Sequence, residues 1–466
     1  MLFSSLSFLY YFFAVALLLY FAAPRKLKNI ILLLASLVFY FFGEQWYVVL
    51  LLVSIAIGYI GGWLIERYRG TGKAKLALIL AVLLNLLMLG YFKYSDFFIS
   101  NINSILGTNI PLLRVSLPLG ISFFVFQTIS YVVDVYRGLA ADKNPIGFAM
   151  YVSMFPQLVA GPIVRYNTVA EAIKDRVHTF DDFAKGVSRF VIGLAKKVLI
   201  ADALGTLSAL MLATGEPSVL SHWLAIFSFV LQIYFDFSGY SDMAIGPGYM
   251  FGFHFDENFN YPLIADSISD FWRRWHISMG TWFREYLYIP LGGNRVSNLK
   301  WVRNIFIVWF CTGFWHGANW NFIFWGLYFG ILLAMEKLVW GKLIAKLPAL
   351  LRHFYTLILV FFSFVIFYVE DLQNLLAHIK GMFGALAIPA ANFETLYYMR
   401  SYALLLIIAI IGSTPLLKNL IGELRKRVAF EKALIVVEPV FYVILMIIAT
   451  GYIVDSSFSP FLYFRF

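Results

Sequence analysis

The sequence predicts an all-α, multi-pass membrane protein, and three observations carry that expectation. The chain is 61% hydrophobic and only 13% charged, against roughly 25% charged residues in an average soluble domain. Apolar runs such as 76–92 (LALILAVLLNLLMLGYF) and 354–369 (FYTLILVFFSFVIFYV) approach the ~20 residues that a helix needs to cross ~30 Å of hydrocarbon. These runs lack the alternation of barrel strands, and only helices and closed barrels satisfy every backbone hydrogen bond in lipid.

The first apolar run, 6–21, has no basic segment before it. It is followed by Pro24-Arg25-Lys26-Leu27-Lys28 where a signal peptide has small residues, so it reads as a retained first helix. Further spans are expected at 29–42, 46–64, 76–92, 117–136, 222–236, 240–254, 304–318, 320–339, 354–370, 400–416 and 434–454, about eleven to twelve helices in all. Basic clusters at 25–28 and 67–75 place those ends in the cytoplasm and the N-terminus outside. The net charge of +10 is accounted for by these run ends, so it speaks for membrane orientation and against a nucleic-acid partner. Within 145–203, the two prolines and glycine of FPQLVAGPIVR (155–165) suit a broken or re-entrant element buried in protein. The charged stretch 163–197 has a helical period and is expected along the cytoplasmic surface. No repeat or soluble domain is visible, so 1–466 reads as one integral membrane domain. A single cysteine, Cys311, rules out an internal disulfide and a cysteine-based zinc cluster.

Three constellations could carry chemistry. In DFWRRWHISMGTWFREYLYIPLGGNR (270–295), Asp270 lies three and four positions from Arg273 and Arg274, so on one helix they can neutralise one another. Trp272 and His276, also four apart, would set an imidazole beside an indole, and Pro290–Asn294 would break the helix before Arg295. The plainer alternative is an amphipathic helix whose arginines meet lipid headgroups. In WFCTGFWHGANWNFIFW (309–325), His316 stands between Gly313 and Gly317, with Trp315, Trp320 and Trp325 nearby. A membrane histidine is more often a satisfied core residue than a catalyst, but an ionisable group there is costly unless it serves a pathway. A neutral imidazole can take a hydroxyl proton near neutral pH. No third ligand follows at metal spacing, with His254 the remaining candidate, so no metal site is expected. In QIYFDFSGYSD (232–242), Asp236 and Asp242 need partners in a membrane span. Arg273 and Arg274 are the obvious ones, and structural glue or a proton relay the two roles.

DFSGYSDMAIG (236–246), NFNYP (258–262), the 270–295 stretch and GFWHGANWNFIFWG (313–326) together resemble the signature of the membrane-bound O-acyltransferase (MBOAT) superfamily, and within it the alginate O-acetyltransferase AlgI-like branch. The ending PFLYFRF (460–466) resembles that branch too, whereas Met279-Gly280 stands where related sequences often have Leu-Ser. The resemblance implies a helical membrane domain with a central tunnel, His316 as the essential catalytic residue and His276 as the second histidine lining the tunnel. It implies no tightly bound cofactor and acetyl-CoA as acyl donor. Arg273 and Arg274, with Arg284 and Arg295, would meet its phosphates. Trp272, Trp275, Trp315 and Asn319 would line the donor path, and Asp236, Asp242 and Asp270 would form a structural polar network. Asn319, Asn321 and tryptophan N–H groups are the candidates for stabilising an oxyanion. It further implies residence in the bacterial cytoplasmic (inner) membrane among membrane lipids, a polysaccharide acceptor outside, and a separate extracytoplasmic SGNH-type acetyltransferase partner. Two alternatives stand beside this: D-alanyl transfer to teichoic acid as in DltB, and a secondary transporter, which would show paired half-helices and internal symmetry. Neither sign is found.

Overall fold

The computed structural model describes residues 3–455, 461 and 462. Every regular element among them is helical. Among the described residues six helical runs are long and apolar enough to cross a membrane: Arg25–Arg67, Gly72–Leu106, Val219–Met250, Trp320–Ile344, Ala349–Tyr368 and Val428–Asp455. The pair Phe393–Ser401 and Ala403–Gly412, bent by 59°, makes a seventh if it is one span. This is fewer than the apolar runs of the sequence. The runs 222–236 and 240–254 are a single helix, since Asp236, Ser238 and Asp242 interrupt its apolar pattern without interrupting its backbone. Ser7–Ala22 and Ile121–Tyr136 are apolar but shorter. Helices Lys28–Glu44 and Val48–Arg67 meet at Gln45, which has a φ of 48°.

The chain divides into two compact units, one made of Met1–Phe190 with Tyr240–Asp256, the other of Val191–Gly239 with Glu257–Phe466. In the first unit, FPQLVAGPIVR breaks the chain as its prolines predict. Helix Pro145–Ser153 ends, Phe155–Leu158 forms a single turn, and the irregular stretch that follows to Val164 is buried. The backbone N–H of Phe155 finds the Ser36 hydroxyl at 3.0 Å, so the break leaves that donor satisfied. A cluster of Phe3, Phe8, Phe39 and Phe155, their rings tilted or edge-on to one another, packs around it.

In the second unit, helices Asn298–His316 and Trp320–Met335 cross backbone against backbone. A Cβ at Gly326 would run into the Trp309 carbonyl, and one at Gly313 into that of Phe322. Such small-residue contacts drive helix association where lipid removes the hydrophobic incentive. Gly326→Ala is therefore expected to lower the melting temperature of the detergent-purified protein, at an overpacking cost of about 1–3 kcal/mol. Gly330→Ala, whose added methyl meets Trp309 Cβ at 3.4 Å, should leave the melt unchanged. Equal melts for the two would contradict the packing argument.

Candidate functional site

His316 is the last residue of helix Asn298–His316, and Gly317 continues in extended backbone. Asn319 then caps the next helix, its side-chain oxygen accepting the Trp320 N–H at 2.7 Å. The GFWHGAN stretch thus makes a tight corner that leaves His316 at a helix end. Its ring is 5% exposed and lies edge-on to Trp325 (4.9 Å between centroids), Trp315 (5.1 Å) and Phe367 (5.7 Å). Beside it is a cavity of about 20 Å³ whose lining includes Asp236, Phe237, Trp275, Trp325 and Phe461. That is room for one water molecule and too little for a thioester.

His276 arises from a break in the backbone. Helix Ile268–Arg274 stops, Trp275 is extended, and His276 takes a left-handed conformation (φ 44°) before helix Ile277–Phe283 begins. A left-handed non-glycine residue costs on the order of 1–3 kcal/mol and persists where its surroundings over-determine it. Asn258 supplies that constraint. Its backbone carbonyl accepts the Ile277 N–H at 2.9 Å. Its side-chain oxygen accepts the Ser278 N–H at 3.2 Å and the Ser278 hydroxyl at 2.9 Å. A backbone N–H can only donate, so the Asn258 atom is the carbonyl oxygen. The His276 Nδ1 facing it at 3.1 Å must then carry the ring proton. Nε2 keeps its lone pair and has no hydrogen-bond partner among the described residues. The ring is wholly buried, and burial pushes its pKa down to about 3, so it stays neutral at physiological pH. It packs edge-on against Phe237 (4.6 Å) and lies 6.0 Å from the Trp315 ring. Trp315 therefore contacts both imidazoles.

Asn258→Leu should free the proton on Nδ1 from its acceptor and relax the left-handed turn. The expected outcome is a shift of the His276 ring-nitrogen NMR signals away from the Nδ1–H pattern. An unchanged pattern would show that something else holds the tautomer.

The carboxylates have other partners than the sequence suggested. Asp236 is bound not by Arg273 or Arg274 but by Lys197, Nζ to Oδ1 at 2.7 Å, and the same ammonium reaches Asp202 at 2.7 Å. The other Asp236 oxygen accepts the Leu462 N–H at 2.8 Å. Asp242 belongs to the first unit, where Arg189 holds it at 2.8 Å. Arg274 instead pairs with Asp270 at 2.8 Å, one turn back on its own helix, while Arg273 is exposed. Lys197 also corrects the reading of 163–197 as a surface stretch throughout: it is 3% exposed and lies second in the π-helical turn Lys196–Ala201. Such turns recur at functional sites.

Of the other predicted residues, Trp275 reaches the cavity with His316 and Asp236. The pairing of Trp272 with His276 fails because the helix ends between them. Trp272 packs on Trp309 (4.5 Å) and Trp325 (5.6 Å) instead. Trp320 is half exposed and stacks on Phe324. Asn321 donates to the Phe367 carbonyl at 2.8 Å. Arg284 and Arg295 are exposed, and His254 sits in the first unit, 3.7 Å from Asp182. Among the described residues no three His, Cys, Asp or Glu side chains are placed to hold a metal ion. Of PFLYFRF, only Phe461 and Leu462 fall within the described residues. Two residues of the site were missed in the sequence: Asn258, present in the NFNYP motif but given no role, and Lys197.

The sequence model of the family described as MBOAT, membrane-bound O-acyltransferase, matches residues 78–378, which includes both histidines, Asn258 and the Lys197–Asp236 pair. The chain belongs to the membrane-bound O-acyltransferase family. Among its relatives, a probable alginate O-acetylase AlgI of Azotobacter vinelandii is 38% identical over 428 residues, covering 85% of this chain and 86% of that protein. A protein of the same description from Pseudomonas aeruginosa is 45% identical over 319 residues, which cover 67% of this chain and 61% of the relative's own length. A peptidoglycan O-acetyltransferase of Helicobacter pylori is 38% identical over 363 residues, 71% of this chain and 69% of that protein. These O-acyltransferase relatives differ in the polymer they are named for, so family membership leaves the acceptor open.

Proposed function

We propose that this chain is a multi-pass O-acetyltransferase of the bacterial cytoplasmic membrane that moves acetyl groups from cytoplasmic acetyl-CoA toward an extracytoplasmic polysaccharide such as alginate. The observation that carries the reading is the placement of two buried imidazoles on one indole, Trp315, one of them, His316, lining a cavity with Trp275, Phe237 and Asp236. In this reading Arg273, exposed, and Arg274, part-buried beside Asp270, meet the donor's phosphates, for which planar guanidinium groups are well suited. The pantetheine arm reaches His316 after the side chains around the small cavity move aside. Trp272 and Trp275 bound its path, and Asn319 holds the corner that presents His316. Asp236, Asp242 and Asp270 serve structurally, each in an ion pair of its own with Lys197, Arg189 and Arg274.

His316 takes the proton of the attacking hydroxyl as the new O–C bond forms. The C–S bond breaks, and the imidazolium returns the proton to the leaving thiolate, so the balance is alcohol plus thioester to ester plus thiol. His276, neutral with Nε2 unprotonated, acts as the second histidine of the passage. The immediate acceptor is a hydroxyl of a separate SGNH-type partner outside the membrane, which passes the acetyl group to the polymer. The whole polypeptide is taken as one functional domain.

The test uses proteoliposomes with the protein and acetyl-labelled acetyl-CoA on the side bearing Arg273. Label is expected in an added polysaccharide or partner hydroxyl on the opposite side. Label accumulating there as intact acetyl-CoA, with no ester formed, would favour a transporter instead.

A further inference from the structure

A second, larger cleft of about 560 Å³ lies in the second unit, lined in part by Asp266, Ser267, Glu336, Lys337, Gly341 and Arg352. Its level in the membrane follows from the spans. Glu336–Gly341 belongs to the closing turns of Trp320–Ile344, and Arg352 to the first turn of Ala349–Tyr368, so the cleft lies where two successive spans turn round. Trp340 donating to the Tyr355 hydroxyl at 3.0 Å is the aromatic pairing expected at a water–lipid boundary. Leu347, Leu350, Leu351 and Phe354, next along the chain, are exposed, as befits side chains that meet acyl chains.

The charges of the cleft are specific. The Glu336 carboxylate is used up on the protein itself, accepting the backbone N–H groups of Ile268 (2.7 Å) and Ser269 (3.1 Å) and the Ser269 hydroxyl (3.1 Å). Asp266 touches Arg352 at 2.9 Å, yet its side chain is 45% exposed. The Arg352 side chain is 28% exposed; its Nη1 donates to the Ala345 and Leu347 carbonyls at 3.5 and 3.3 Å, and what it offers the cleft is its positive charge. Lys337 lies 3.9 Å over the Trp301 ring and 3.1 Å from Asn294 Oδ1, which leaves ammonium protons to offer. Glu336 and Lys337 belong to a π-helical turn, Glu336–Trp340, followed by Gly341, where any Cβ would strike the Glu336 carbonyl. Two cations and one accessible carboxylate in one cleft suit a ligand that carries both a phosphate and an ammonium. A polyphosphate would meet the carboxylate as a repulsive neighbour.

We infer that this cleft binds the headgroup of a phosphoethanolamine phospholipid, its phosphate on Lys337 and Arg352 and its ammonium on Asp266, with the acyl chains along Leu347, Leu350, Leu351 and Phe354. A primary ammonium can donate hydrogen bonds to Asp266, whereas a trimethylated one cannot. Because Glu336 also holds the first turn of helix Ile268–Arg274, which ends two residues before His276, a filled cleft braces the element that leads to the second histidine.

Native mass spectrometry of the full chain, stripped of lipid and offered phosphatidylethanolamine, phosphatidylcholine or phosphatidylglycerol, tests this directly. One phosphatidylethanolamine should be retained in preference to the other two. Lys337→Ala should weaken that retention about tenfold, the worth of one charge-assisted contact. Asp266→Asn should turn the preference toward phosphatidylglycerol, because it removes the carboxylate and keeps both cations. Both side chains are partly exposed, and a thermal melt checks that each variant folds. Equal retention of the three lipids, or a preference unmoved by both substitutions, would overturn the assignment. So would displacement of the lipid by coenzyme A or by soluble phosphoethanolamine at equal concentration, each of which would give the cleft a different ligand.

Discussion

His316→Ala is expected to abolish acetylation of the polymer while the protein still inserts, folds and binds its donor. A positioned general base contributes typically 10²–10⁴-fold to a proton-transfer step, so activity should fall by about three orders of magnitude or below detection. The ring is 5% exposed and packed among Trp315, Trp325 and Phe367, so its removal also enlarges the cavity. A modest fall in the melting temperature is part of the expected result. His316→Gln separates the two effects, since it fills most of the space and cannot act as a base near neutral pH. If the glutamine variant acetylates at a rate near that of the parent, His316 is a packing residue and the proposed chemistry fails. His276→Ala is the informative partner. Because Asn258 and Ser278 fix the turn around His276, its loss should impair both stability and rate, and the glutamine variant again separates them.

How far the sequence foretold this arrangement depended on the range over which each feature is determined. Helices, the break at FPQLVAGPIVR and the close-packing glycines at Gly313 and Gly317 are local, and local patterns of apolar residues, proline and glycine made them legible. Asp270 with Arg274 was legible too, being one helical turn apart. The indole–imidazole pair of Trp272 and His276 misled because it presumed a continuous helix through Trp275. Nothing local marks His276 as left-handed; that conformation comes from Asn258, eighteen residues earlier and in another element. The partners of Asp236 and Asp242 were equally out of reach. Arg273 and Arg274 were the nearest conspicuous cations in the polar motifs, but pairing in a helical protein is decided by which faces meet. Those faces brought Lys197 and Arg189 from a segment whose charge pattern suggested only a surface.

Lys197→Met is expected to be strongly destabilising. The ammonium is 3% exposed and bridges two carboxylates at 2.7 Å, and of these Asp236 is itself 1% exposed. Removing one member of a buried ion pair leaves an uncompensated charge, at a cost of about 3–5 kcal/mol. The Leu462 N–H at 2.8 Å offsets part of the charge on Asp236 but cannot neutralise it. Adding Asp236→Asn to Lys197→Met should restore most of the loss. The amide oxygen can still accept from Leu462, and Asp202, about a quarter exposed, can be solvated on its own. The measurement is a set of thermal melts in one detergent for the parent, Lys197→Met, Asp236→Asn and the double variant. Strong non-additivity, with the double variant more stable than Lys197→Met alone, is the signature of a buried pair. Melts that simply add would mean that the two charges are held independently. Because Asp236 also borders the cavity beside His316, the double variant separates the two uses of that carboxylate. If it recovers stability without recovering acetylation, the charge itself serves the reaction; if it recovers both, the pair is scaffold.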